Sequence, residues 1–364
     1  MNDNSASSFD MEQYDQDDVR DLFAMHGVAR PAYSTQQQMW IDKWILTLPG
    51  AAEDAAGNVI VHVGASQTIF SCHTDTVHKE GGKLHLRLEK GMMVAYRNGK
   101  RDVLGSDDAA GCWIMRRMIQ AGVPGVYIFH QAEEWGGRGA AAIVEKNKAT
   151  LSSYKHCIAF DRAGYDDVIT YQSGHRTASN EFAKALAGQL NQHGFAYAPC
   201  HGVFTDSEIY SDLVPECSNI SVGYFGQHGP SERLDIDHIV RLMKACLKID
   251  WASLPSVRDP KAFDAGRWSW KDDWYDEYEE WSPSSATSTG GAKKWSSYKP
   301  RYGDYVSADV NPAPSDAKIT ELGTDFMDEF QQFSYWDSLK DMVERDPQAA
   351  TACLVLLLGN WPKG

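Results

Sequence analysis

Five short stretches of the chain carry the residue types that a pair of bridged cations requires. They are Cys72-His73-Thr74-Asp75-Thr76, Ser106-Asp107-Asp108-Ala109-Ala110-Gly111, Ala132-Glu133-Glu134-Trp135-Gly136, Phe160-Asp161-Arg162 and Gln227-His228-Gly229. Two imidazoles and three carboxylates suffice to hold two zinc ions, and one carboxylate remains to act as a base. If the chain leaves a strand still extended at His73, residues i and i+2 point to the same side. One nitrogen of His73 is then free for metal while Asp75 holds the proton on the other and fixes the tautomer. Alone, the pair is far more often a strand-end histidine with an ordinary hydrogen bond.

Asp107 and Asp108 precede a segment rich in small residues. A carboxylate there can bridge two cations with one oxygen on each, or cap the helix that follows. Both uses fit together, one Asp on the metals and its neighbour on backbone N–H groups. Glu133 and Glu134 follow an expected strand and a two-residue turn. Adjacent side chains diverge, so one carboxylate can ligate while the other stands over the reacting water. Phe129 and Trp135 flank the pair, and apolar surroundings raise a carboxylate toward a useful base strength. Asp161 ends an apolar run, and His228 lies in a turn with Gly226, Gly229 and Pro230. Each residue alone suits a cap or a turn, but all five elements fall at expected strand ends, where α/β folds place their sites.

The elements that must position these residues follow from periodicity. Ser34 and Gln37 form a capping-box pattern opening a helix with Met39, Trp40, Trp44, Ile45 and Leu48. Strands are expected at 59–63, 68–72, 84–88, 126–130, 156–160, 168–171 and 220–224. Helices are expected at 108–119, 139–145, 180–192 and 235–251. This alternation predicts an α/β sandwich around a mixed, largely parallel sheet. Residues 1–30 are rich in Asp and Ser and read as an acidic, loosely ordered segment. Residues 31–255 form the expected hydrolase domain. Residues 256–314, with Trp268, Trp270, Trp274, Trp281 and Trp295, read as a linker or wrapped extension. Residues 315–364 read as helical.

The 364 residues are 43% hydrophobic and 23% charged, with a formal charge of −15, which argues against nucleic-acid or anionic-membrane partners and for a small polar substrate. The acidic start lacks the apolar run of a signal peptide, and the longest apolar run, 352–358, is far short of the roughly 20 residues of a bilayer span. With 7 scattered cysteines, free thiols in a reducing cytoplasm are expected.

The ordered set resembles the co-catalytic di-zinc exopeptidase clan, which includes peptidase T, the glutamate carboxypeptidases and acylases, and the bacterial leucine aminopeptidases. His73-Thr74-Asp75-Thr76-Val77 is similar to its H-x-D-T-V, Leu104 to Gly111 to its L-G-A-D-D-K-A-G, and Glu133-Glu134 to its E-E. The likeness covers roughly residues 35–252. It implies a three-layer zinc-exopeptidase fold in which His73 and Asp161 bind one zinc, Glu134 and His228 the other, and Asp107 bridges them. It further implies Glu133 as general base, Asp75 as the orienting partner of His73, and a cis bond between Asp107 and Asp108. Larger members insert a lid between the last two ligands. Here that interval, 228 − 161 = 67 positions, leaves no room for one.

The expected activity is zinc-dependent hydrolysis of an amide bond in a small peptide or acylated amino acid, as an exopeptidase or deacylase. Hydroxide bridging the ions would attack, with Glu133 as general base. The cofactor is two Zn²⁺ per chain, with Co²⁺ or Mn²⁺ as alternatives. Tyr210, Tyr224 and then His201 are candidates for oxyanion support, and Asp206 for a substrate contact or a helix N-cap. A reading from another class is a metal-stabilised binding or assembly protein that finds an oligomer or protein partner through residues 256–364. The spare carboxylate at Glu133 favours the enzyme, because a structural zinc site needs no base.

Overall fold

The computed structural model describes residues 16–262. The expectations for 263–364, the linker and the C-terminal helices, and those for the first fifteen residues lie outside that range.

Four parallel strands form the centre, in the order Glu216–Ser221, His156–Arg162, Thr68–His73, Gly125–His130. Val59–Val63 pairs antiparallel with the last of them, and Asp167–Gln172 antiparallel with the first. Ala52–Glu53, His175–Arg176 and Ala198–His201 complete a nine-stranded mixed sheet. Side chains alternate across it. Phe70, Tyr127, Phe129, Ile158 and Phe160 join one core with Trp113 and Leu186, while Ile69, Val126, Ile128 and Cys157 join a second with Ala140 and Ile143. Three of these central strands, Thr68–His73, Gly125–His130 and His156–Arg162, are mainly apolar because both faces are covered, which makes their runs legible as strands. The helices Ser106–Gln120, Asn180–Asn191 and Ile236–Cys246 cover the first face, and Arg138–Leu151 covers the second. The three-layer α/β sandwich is thus as expected.

Local signals set the helix starts. Ser34 accepts from Gln37 N, Ser179 from Phe182 N and Asp235 from His238 N. The Gln37 side chain reaches back to Tyr33 N at 2.7 Å rather than to the cap residue itself. The segment between Asp161 and His228 consists of sheet strands, the helix Asn180–Asn191 and one short helix, so no lid interrupts it.

Three expectations need correction. The loosely ordered start is contradicted from residue 16 onward. Gln16–His26 is a helix, and Val28–Ala29 pairs with Gly82–Lys83. Val19, Leu22 and Met25 recur every third residue and are buried, a stripe that the surrounding aspartates mask. The strand expected at 220–224 is Glu216–Ser221, with a separate Tyr224–Phe225 after Gly223 at φ 96°. Its polar residues are buried because each has a partner, as in Ser218 Oγ to Ile169 O at 2.7 Å. The last helix stops at Cys246, and Trp251–Ser253 is a 3₁₀ turn. A second sheet, of which the pattern announced only the strand at 84–88, joins His85–Glu89, Met92–Arg97, Lys100–Asp102, Tyr224–Phe225 and Arg233–Asp235. No helix among the described residues is long and apolar enough to cross a membrane. The six described cysteines are free.

Because the first helix contributes to the main core, Leu22→Ala should cost about 2–5 kcal/mol in urea unfolding. A loss below about 1 kcal/mol would mean that this helix is only loosely attached.

Candidate metal centre

The parallel strands deliver the candidate residues to one edge. His73 is the last residue of its strand, paired with His130 on the neighbour that leads to Glu133 and Glu134. Asp161 is the penultimate residue of its strand, and the strand Glu216–Ser221 leads through Tyr224–Phe225 to His228.

At the centre stands Asp107. Its Oδ1 is 2.9 Å from His73 Nε2 and its Oδ2 is 3.1 Å from His228 Nε2. One carboxylate therefore addresses two imidazoles, one with each oxygen. His73 Nε2 is also 3.7 Å from Asp161 Oδ1, and His228 Nε2 is 3.3 Å from Glu134 Oε2. Three sets of ligand atoms lie mutually within 4.8 Å: His73, Asp107 and Asp161; Asp107, Glu134 and His228; His73, Glu133 and Glu134. The first two sets share Asp107, and the third joins Glu133 to His73 and Glu134, so all six candidates converge.

The supporting contacts are as informative. His73 Nδ1 is 3.1 Å from Asp75 O and 3.5 Å from Asp75 Oδ1. Asp75 also accepts from Glu133 N at 3.1 Å and Glu134 N at 3.3 Å, so its backbone carbonyl holds the imidazole while its buried carboxylate holds the Glu-Glu turn. The bond between Asp107 and Asp108 is cis. Asp108 accepts from Gly111 N at 2.9 Å and His73 N at 3.3 Å, which makes it the backbone partner of the aspartate pair.

The electrostatics follow from crowding. Burial lifts Glu133 well above the usual carboxylate range, and Asp161 and Glu134 add to the lift while His73 opposes it. Burial takes Glu134 up to about 7. Burial alone would lower His73 and His228, but the carboxylates around them outweigh it and hold both imidazoles above their ordinary value. Burial would raise Asp107, and its hydrogen bonds from His228 and His73 reverse that.

Four residues have places other than those expected. Tyr224 donates to Asp161 Oδ1 at 3.1 Å and so orients a candidate ligand. Tyr210 is fully buried against His130 Nε2 at 2.8 Å. His201 packs its ring on Tyr171, with centroids 4.4 Å apart. Asp206 is not the N-cap, a position held by Thr205, and lies buried 3.3 Å from His130 Nδ1. Trp135 is 52% exposed and edge-on to Tyr33, so the burial of Glu133 comes mainly from elsewhere. Other positioning contacts carried no recognisable sequence signal. Thr205 Oγ1 donates to Asp161 Oδ2 at 2.6 Å, and Asn219 brackets the backbone of Asp161. Arg30, fully buried, donates to Thr74 O at 2.8 Å and Gly105 O at 3.3 Å, joining two ligand loops. Only a fold that closes these loops on one another reveals them.

The residues fit a pair of divalent cations. The donors are imidazole nitrogens and carboxylate oxygens, a set suited to Zn²⁺, Co²⁺ or Mn²⁺. Glu134 Oε1 is buried with no hydrogen-bond partner among the described residues, as expected of an atom kept for a cation.

No protein-family model matches the chain, and no curated protein matches it. Solved structures do. The aminopeptidase PepT from Bacillus cereus is similar with a TM-score of 0.51 at 14% identity, over 63% of this chain and 96% of that one. The dodecamer PhTET1-12s is similar at 0.50 and 14%, over 63% and 97%. A tripeptidase from Staphylococcus aureus is similar at 0.50 and 13%, over 64% and 96%. At such identities the likeness shows the fold alone, which this chain shares with these peptidases.

Zinc titrated into metal-free protein should reach two ions per chain, and His73→Ala and His228→Ala should each lose one. Both imidazoles sit above their ordinary value, so the metal-free protein holds protons at neutral pH that binding must expel. Affinity should therefore rise between about pH 6 and 8, with proton release seen by calorimetry in buffers of different ionisation enthalpy. An affinity flat with pH would contradict the assignment.

Proposed function

We propose that this chain is a two-metal hydrolase that removes residues from the end of short peptides. The observation that carries the reading is Asp107, whose two oxygens face different imidazoles while Glu133 remains beside them as a carboxylate that neither shared set needs. The names of the fold neighbours, aminopeptidase and tripeptidase, favour a peptide over an acylated amino acid.

His73 and Asp161 would hold one cation, Glu134 and His228 the other, and Asp107 both. Bound there, two divalent cations supply Lewis acidity, taking the pKa of a water from 15.7 to about 7 and polarising a carbonyl. Glu133 accepts the proton of the attacking water on its carboxylate. The new C–O bond forms as the carbonyl π bond opens onto its oxygen, and the C–N bond breaks when Glu133 returns the proton to the departing nitrogen. Burial suits it to both steps, because a carboxylate lifted toward neutrality takes and gives a proton readily. Asp75 fixes where that carboxylate starts, through the backbone N–H groups of Glu133 and Glu134. Tyr224 and Thr205 hold the two oxygens of Asp161. Zinc is the metal we favour, on the donor set alone.

Glu133→Gln separates this chemistry from simple metal storage. The variant should bind the same number of ions as the parent and lose at least about 100-fold in kcat on a tripeptide with a free amino terminus. Retained turnover would remove Glu133 from the mechanism. Turnover of N-acyl amino acids, without any of free peptides, would replace the peptidase by a deacylase.

A further inference from the structure

We propose that Glu232 is a positioning residue that fixes the Asp107 carboxylate between the two imidazoles. The inference rests on the two-metal reading and adds the part that holds its shared ligand.

Glu232 is fully buried, and its carboxylate spans a long separation in sequence. Its Oε2 accepts from Leu104 N at 2.9 Å and Gly105 N at 3.0 Å, and its Oε1 from Asp107 N at 3.2 Å. Those amides lie in the turn that leads into the helix Ser106–Gln120, around Gly105, which has no side chain to supply an acceptor, and ahead of Asp108, whose carboxylate accepts from Gly111 N. Gly105 is required there, at φ 72°, because a Cβ would come 2.9 Å from Thr76 Cγ2. Asp108 thus serves the helix that follows it, and the three amides ahead of it, on the chain that brings Asp107 to the centre, find their acceptors on Glu232.

Glu232 lies four residues past His228, and its own N–H donates to Gly229 O at 3.1 Å. The strand Arg233–Asp235 follows at once and is paired on both sides in the second sheet. A short ring of contacts results. It runs from His228 through the turn to Glu232, from the carboxylate of Glu232 to Asp107 N, and from Asp107 Oδ2 back to His228 Nε2. The distance between the shared carboxylate and the second imidazole is set by that ring, and Arg30 ties the His73 loop to the same Gly105. In Glu232→Gln one oxygen remains and an NH₂ group faces an N–H, so at least one of the three bonds is lost.

The test is Zn²⁺ alone, competed against a chromophoric chelator on the full chain. Supporting contacts of this kind are typically worth about 10–100-fold in metal affinity. We expect Glu232→Gln to weaken the less tightly held ion at least tenfold. The matched control is Glu216→Gln. That buried carboxylate also accepts backbone N–H groups, from Ser179, Val257 and Arg258, at the far end of its strand. It should lower the melting temperature while leaving both zinc affinities unchanged. If Glu232→Gln does not fold, Glu232→Asp, which keeps the charge and shortens the reach, is read in the same way. Wild-type affinities in the Glu232 variant, or an equal loss in the Glu216 control, would overturn the proposal. A parent chain that takes up no zinc would instead overturn the metal centre itself.

Discussion

Carboxylates confined together repel. Asp75, Asp107, Asp161, Glu133, Glu134 and Asp206 crowd one edge of the sheet, and burial pushes Asp161, Glu133, Glu134 and Asp206 toward their neutral forms. Two like charges about 4 Å apart repel by about 4 kcal/mol at an effective dielectric constant near 20. Two imidazoles cannot offset that many carboxylates. Two divalent cations could, and in the proposed reading the most central carboxylate, Asp107, whose two oxygens face different imidazoles, would serve both.

Such a cluster needs a stiff frame, because each ligand otherwise relaxes away from its neighbours. Four parallel strands give the frame its common edge. A further set of residues then fixes what the strands deliver. Asp75 spans His73 and the Glu-Glu turn. Thr205, Asn219 and Tyr224 surround Asp161. Arg30, lying over Trp40 at 4.5 Å, clasps two loops through their carbonyls. A buried guanidinium is tolerable only when it is hydrogen-bonded, and each of its nitrogens has a carbonyl partner, Nε on Thr74, Nη1 on Val28 and Nη2 on Gly105. In the proposed reading the two sets of residues have different jobs, the first to bind cations and the second to prevent relaxation.

How much of this was legible in the chain depends on what each residue must do locally. Strand ends such as Cys72-His73 and Phe160-Asp161 stand out because an apolar run stops at a polar residue, and the caps Ser34, Ser179 and Asp235 act within three residues of themselves. The helix Gln16–His26 was hidden because its buried stripe is narrow and its other faces are acidic. The strand Glu216–Ser221 was hidden because its buried residues are polar and find partners far away in sequence. Tyr224 pointed to chemistry by type but serves by holding Asp161. Glu232 and Arg30 had no local signature at all, since their partners lie on loops that meet only in the folded chain. Short-range physics can be read along the sequence, and contacts between distant loops cannot.

The most direct measurement is anomalous diffraction at the zinc edge from crystals of the full chain grown with zinc. The centre described here requires two peaks, one on each side of the Asp107 carboxylate and about 3.5–4 Å apart, as in two-metal sites generally. A single peak, or two that leave Asp107 unshared, would contradict it.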